Sequence, residues 1–263
     1  MTSHNTTYNI VYQQIIKKAA NRFSLERSYN TRRFYKTLRK RREEPNIVNA
    51  INFMLTMKST YGGGIHHEEA IKQILKNHDF VELPKEIITR TLNRNRDMRW
   101  IEQPKLASHI PNGTFISQPF GSQQSPDFIV KVNDVFVLFI EAKSSNKTCK
   151  PTYNSGGVHP GFLYIFTSNK TKSTTIFKGD SVITATQQQL IHNHRKKLRK
   201  YDEELNKKLA MCDSYDRGWS FFSRSMIIQS GSGTKTDYMT HQTKASTETK
   251  TMSWLVSKNT KKK

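Results

Sequence analysis

Residues 135–140, Val-Phe-Val-Leu-Phe-Ile, form the longest unbroken apolar run in the chain. A six-residue apolar run this rich in Val, Ile and Phe suits a strand covered on both faces, hence a central strand of a sheet. Just upstream, Phe128, Val130 and Val132 alternate with their neighbours as a partner strand would. Asn133-Asp134 lies between the two, and both side chains can bond nearby backbone and tolerate unusual dihedrals, so a tight turn is expected there. The central strand then exits into Glu141-Ala142-Lys143. Glu141 and Lys143 are two residues apart and share one face. Asp127 sits at the far end of the partner strand, where a hairpin folds it back beside Glu141.

Register decides whether these groups meet. A strict two-residue loop pairs Val132 with Val135 and sets Asp127 opposite Ile140, on the face away from Glu141. One bulge, or a three-residue loop, sets Asp127 directly across from Glu141. The bulged or longer loop is the expectation. Two carboxylates beside a lysine at the rim of an apolar sheet can hold divalent cations and orient a water. Mg2+ prefers hard oxygen ligands and keeps several waters, so Asp127, Glu141, the Ala142 carbonyl and a phosphate oxygen would suffice. An ordinary hairpin with solvated charged ends is the alternative.

Pro126-Asp127, thirteen intervening residues and Glu141-Ala142-Lys143 together resemble the PD-(D/E)xK nuclease core. The surrounding text, GSQQSPDF, then IEAKSS, PTYNSG and YIF, is similar to type II restriction endonucleases that cut short palindromes. The resemblance covers roughly residues 65 to 230. It implies that Asp127 and Glu141 hold Mg2+, that Lys143 positions or deprotonates the attacking water, and that a helical glutamate completes the site. Glu68 is the better placed candidate for that last role, since Glu69 points with Lys72 and Gln73 toward solvent. Helix-dipole stabilisation by an acidic first turn is the competing reading of Glu68.

Charge points to the same partner. The chain carries 43 Lys and Arg against 21 Asp and Glu, a formal net charge of +22. Such an excess repels itself in the folded state and makes sense against a polyanion. No helix is both strongly apolar on one face and basic on the other, so double-stranded DNA is favoured over a membrane surface. No apolar run is long enough to span a bilayer. The opening residues lack a basic-then-apolar signal pattern, and an intracellular, cytoplasmic protein is expected. Cys149 and Cys212 are too few for a disulfide framework.

Residues 1–60 read as a basic helical region packed on the core, with Arg32, Arg33 and Arg39 to Arg42, including Arg41, reaching phosphates or simply solvated. Tyr61-Gly62-Gly63-Gly64 lacks the spacing of a nucleotide-binding loop, so no nucleotide cofactor is expected. Residues 61–230 read as the catalytic core and 231–263 as an extension with a basic tail. A helix is expected from about Ile65 to Asn77. Gln123 and Gln124, on the approach to the hairpin, could bond bases or order a loop. The loop after Lys143 carries Lys147, Asn154, Ser155 and Gly156, and the restriction resemblance places this segment against DNA. Phe162 to Phe166 and Thr174 to Lys178 read as a second hairpin. A long helix from about Thr184 to Met211 has Leu190, Ile191, His194, Leu198, Tyr201, Leu205 and Leu209 along one side. Trp219 to Ile228 reads as a last core strand, and Trp254-Leu255-Val256 as a short strand or helix turn.

The expected fold is α/β, a mixed central β-sheet flanked by helices with a restriction-endonuclease-like core. The expected function is a Mg2+-dependent type II restriction endonuclease, a homodimer because palindromes are read by two-fold pairs. A structure-specific repair nuclease, or a non-catalytic basic DNA-binding protein, stays open as an alternative.

Overall fold

The computed structural model describes residues 47–61, 67–85, 110–122, 124–134, 136–153, 157–212, 219–223, 227 and 238–257. Its centre is a six-stranded mixed sheet in the order β1-β2-β3-β4-β5-β6. The strands are β1 (Val81–Glu82), β2 (Thr114–Ser117), β3 (Phe128–Asn133), β4 (Phe136–Ser145), β5 (Leu163–Ser168) and β6 (Ser173–Lys178). The β2–β3, β3–β4 and β5–β6 pairs are antiparallel, whereas β1–β2 and β4–β5 are parallel. Residues 146–162 make the crossover that a parallel β4–β5 pair requires.

One face is covered by helices α1 (Ile47–Ser59), α2 (His67–Asn77) and α4 (Lys244–Ser257). Phe53, Met54 and Met57 of α1, Ile71 and Leu75 of α2, and Met252 and Leu255 of α4 meet Val130, Leu138, Ile140 and Ile165 there. The opposite face carries Tyr153, Phe162, Tyr164, Phe166 and Phe177, closed by Tyr238 and Met239. Tyr238 stacks on Phe177 at 4.1 Å between ring centroids. Burying each large apolar side chain contributes about 1.5–3 kcal/mol, so a one-residue slip of β4, which would reverse every side chain, is strongly disfavoured.

The described parts of the two terminal regions, α1 and α4, belong to the same hydrophobic cluster as the sheet. They are layers of the core. Trp254-Leu255-Val256 therefore lies inside a 14-residue helix and is neither a strand nor an isolated turn. Its Ser- and Thr-rich sequence has modest helix propensity, and tertiary contacts supply the rest. Lys58 of α1 pairs at 2.8 Å with Glu248 of α4, whose Oε1 accepts from the Thr175 hydroxyl of β6 at 2.8 Å.

Two expectations are overturned. The long helix α3 (Ala185–Met211) forms as expected, opened by a capping box between Thr184 and Gln187, yet none of its residues is buried. Trp219 to Phe222 make no core strand: Trp219 and Phe222 are each 62% exposed. Their backbone is satisfied by side chains of α3 instead, since Asn206 brackets Phe221 through two hydrogen bonds and Asp202 accepts from the N–H and hydroxyl of Ser223. Of the rest of that expected strand, Ile227 pairs with Tyr153 in an isolated bridge, and Met226 and Ile228 lie outside the described residues. Among the described residues, no helix is long and apolar enough to cross a membrane.

Candidate active site

The β3–β4 hairpin has the register that the site needs. Phe128 pairs with Ile140 and Val130 with Leu138, and a bulge between Lys131 and Asn133 shifts the pairing to Asn133 with Phe136. Continuing the ladder one step past Phe128 sets Asp127 across from Glu141. The bulge expected from sequence is what puts the two carboxylates on one face. Their face is the aromatic one, shared with Ile129 and Phe139. On β4, Leu138, Ile140 and Ala142 point to the helical layer, so the alternate positions Glu141 and Lys143 point the other way.

Three contacts hold the cluster. The Asp127 Oδ2 accepts from the Ala142 N–H at 2.7 Å. Lys143 Nζ donates to Glu141 Oε1 at 2.7 Å, with the two side chains only 14% and 6% exposed. Glu141 Oε2 is buried and has no hydrogen-bond partner among the described residues. An ionised oxygen in that position has lost water without a replacement, which is costly unless a cation or donor reaches it. Because the N–H and C=O of one strand residue face the same neighbour, the Ala142 carbonyl lies on the Asp127 side, just beyond the end of β3.

Electrostatics mark Asp127 as the strained member. Burial, with the charge of Glu141 next, lifts its carboxyl from an ordinary 3.8 to about 7. The Ala142 N–H and the charge of Lys143 oppose this, and Glu68 adds to it. Tyr164, which pairs with Glu141 in the β4–β5 ladder, has its phenol pushed well upward by burial first and then by Glu141. It stays neutral and accepts from the His159 N–H at 2.9 Å.

Glu68 stands in the first turn of α2 and accepts from Gln118 Nε2 at 2.8 Å. Gln118 in turn donates its backbone N–H to the Asp127 carbonyl at 2.6 Å. Its φ of 45° lies in the left-handed region, which costs a non-glycine residue about 1–2 kcal/mol. Gln118 therefore ties the helical glutamate to the hairpin, a role its place in a glutamine-rich loop did not reveal. Tyr164, in an apolar strand run, likewise carries no sequence signal of its place beside Glu141. Glu69 is exposed and lies 3.7 Å from Lys72.

Among the described residues, no three His, Cys, Asp or Glu side chains converge closely enough to hold a metal ion. The donor set is thus two carboxylates and the Ala142 carbonyl. Those hard oxygens, one of them orphaned, fit Mg2+ and do not fit a soft metal. Of the other residues marked from sequence, Gln124 and Lys147 are exposed. Arg39, Arg41, Gln123, Asn154, Ser155 and Gly156 lie outside the described residues, as does the Gly62–Gly64 segment.

Comparison with protein-family models, curated proteins and solved structures finds no match for this chain.

Proposed function

We propose that this chain is a Mg2+-dependent endodeoxyribonuclease of the restriction type, hydrolysing phosphodiester bonds of double-stranded DNA at a short palindromic sequence. The observation that carries this reading is the bulged register setting Asp127 across from Glu141, with Lys143 beside it and one Glu141 oxygen buried without a partner. The net charge of +22 supports a polyanionic substrate.

When bound, Mg2+ supplies positive charge against the phosphate and acidifies water. Asp127, Glu141 and the Ala142 carbonyl would hold it. Asp127 must first release its proton, so cation binding and cleavage rise with pH through about 7. Lys143, held beside Glu141, orients the attacking water through its N–H donors and offsets the negative charge that develops on the phosphoryl oxygens. Gln118 and Glu68 act on Asp127 from behind, as positioning residues. By resemblance, the products carry 5′-phosphate and 3′-hydroxyl ends.

The test is incubation of the protein with a sequenced plasmid, with and without Mg2+, followed by sequencing of the ends. Discrete Mg2+-dependent fragments sharing one terminal sequence are expected. Cutting confined to branches or mismatches would point to a repair nuclease. No cutting with any divalent ion, with EDTA-insensitive binding, would leave a basic DNA-binding protein.

A further inference from the structure

Trp219, Phe221 and Phe222 expose three large aromatic rings within four residues. Their segment is nonetheless fixed in place. Asn206 of α3 bonds both polar groups of Phe221: its Oδ1 accepts from the N–H at 2.7 Å and its Nδ2 donates to the carbonyl at 2.8 Å. Asp202, one turn earlier, accepts from the N–H and the hydroxyl of Ser223, each at 2.7 Å. The backbone is thus satisfied without burying the rings, and Phe221 stays 49% exposed. Apolar rings held in water by polar anchors form a surface arranged in advance for a partner.

The helix beside them supplies charge. At 3.6 residues per turn, Arg199 stands two turns before Asn206 and in line with it. Lys196, Lys200 and Lys207 follow around the same flank, within about 120° of Asn206, against one acid, Glu203. All four cations are exposed. Cations alongside exposed rings are the combination that holds a single nucleic-acid strand, with phosphates along the cations and unpaired bases stacked on the rings. A duplex does not fit the rings, because its bases stack on one another and offer no free face. A lipid surface fits less well: Leu190 and Tyr201, also exposed, lie on the opposite flank of α3, so no single apolar face is there to insert.

We propose that Trp219, Phe221 and Phe222, with the Lys196, Arg199, Lys200 and Lys207 flank of α3, bind a single strand of nucleic acid by base stacking. The near end of α3 meets the neighbourhood of the cation pocket, where Gln188 bonds His159 and the His159 N–H bonds Tyr164 beside Glu141. Asn206 stands about 27 Å further along the helix, at 1.5 Å per residue. The surface therefore lies beyond that pocket and is independent of the nuclease reading.

Fluorescence anisotropy on the full chain in EDTA tests it with three labelled ligands of equal length: oligothymidine, an abasic strand with the same phosphates, and a hairpin duplex. The wild type is expected to bind oligothymidine about tenfold or more tighter than the abasic strand. Trp219→Ala/Phe221→Ala should lose about tenfold or more on oligothymidine and stay within about twofold on the other two, with an unchanged melting temperature. Trp219→Phe/Phe221→Tyr should bind within about threefold of wild type. Lys196→Gln/Arg199→Gln/Lys200→Gln should weaken the thymidine and abasic strands alike and reduce the salt slope by about 2. Oligouridine in parallel tells RNA from DNA, the ligand being the strand held tighter and lost with the rings. Equal wild-type affinity for the thymidine and abasic strands would overturn the proposal, and that comparison needs no variant. Ring variants that bind oligothymidine as the wild type does would overturn it too; if they also lose binding to phosphatidylserine vesicles, the rings belong to a lipid surface. No arm uses Mg2+ or cutting, so failure here and failure of the nuclease reading are separate results.

Discussion

Replacing Asp127 by Asn isolates the electrostatic cost of the site. The carboxyl titrates near 7 in the fold against 3.8 ordinarily, so between those values the folded chain holds a proton that the unfolded chain has released. Where the native state binds more protons, stability falls as pH rises. The loss begins near pH 4, grows to pH 7 and is constant above it. A span of about three pKa units at about 1.4 kcal/mol each gives a full cost of about 4 kcal/mol at pH 8 and under about 1 kcal/mol at pH 4. Asparagine keeps an oxygen for the Ala142 N–H but carries no charge. The metal-free Asp127→Asn protein should therefore be about 2–4 kcal/mol more stable than wild type at pH 8 and nearly equal to it at pH 4. Urea denaturation in EDTA at both pH values measures the difference, and taking it between variants cancels the pH dependence of the other charges. Adding Mg2+ at pH 8 should stabilise the wild type and leave the variant unmoved. If the two metal-free curves coincide at pH 8, Asp127 is solvated and the crowded-carboxylate account of the site is wrong.

Other expectations follow from individual contacts. Lys143→Ala should abolish cleavage while largely keeping DNA binding, measured by mobility shift; parallel loss of binding and folding would make Lys143 structural. Glu248 is raised by burial to about 8, and Lys58 beside it is lowered to about 7 by burial and then by Lys244. Glu248→Gln can still bond Thr175 and should cost under about 1 kcal/mol, whereas Glu248→Ala leaves Lys58 facing an emptied site and should cost about 3 kcal/mol in denaturant. A Cβ at Gly179 would sit 1.9 Å from the His159 carbonyl oxygen, a backbone atom. Gly179→Ala must move the β6 end or the 146–162 loop and should lower the melting temperature by several degrees, about 2 kcal/mol or more.

Much of the sheet was legible because its signals are local. The alternation of Phe128, Val130 and Val132, the apolar run before Glu141 and the Leu163–Lys178 hairpin each carry a strand period in a few residues. Even the bulge followed from asking which register would unite Asp127 with Glu141. Strand β2 was less visible: four residues between Pro111-Asn112-Gly113 and Pro119 are too few for a period, and pairing with β3 makes the strand. Helix α3 shows why amphipathic spacing finds a helix without saying what covers it. Ile191 packs against the aromatic cluster while Leu190 and Tyr201 of the same helix stay exposed, and spacing alone does not separate them. The Glu68–Gln118–Asp127 tether joins residues fifty and nine positions apart through a strained backbone, and no short-range pattern encodes such a link.

Binding of Mn2+, a paramagnetic stand-in for Mg2+ with the same taste for oxygen ligands, addresses the central claim without relying on activity. Electron paramagnetic resonance titration should show binding to the wild type at pH 8, weakening about tenfold per unit below pH 7 as Asp127 takes up its proton. Glu141→Gln should abolish it. Mn2+ that fails to bind at millimolar concentration, or that binds equally well to Glu141→Gln and Asp127→Asn, would contradict a cation site between these two strands.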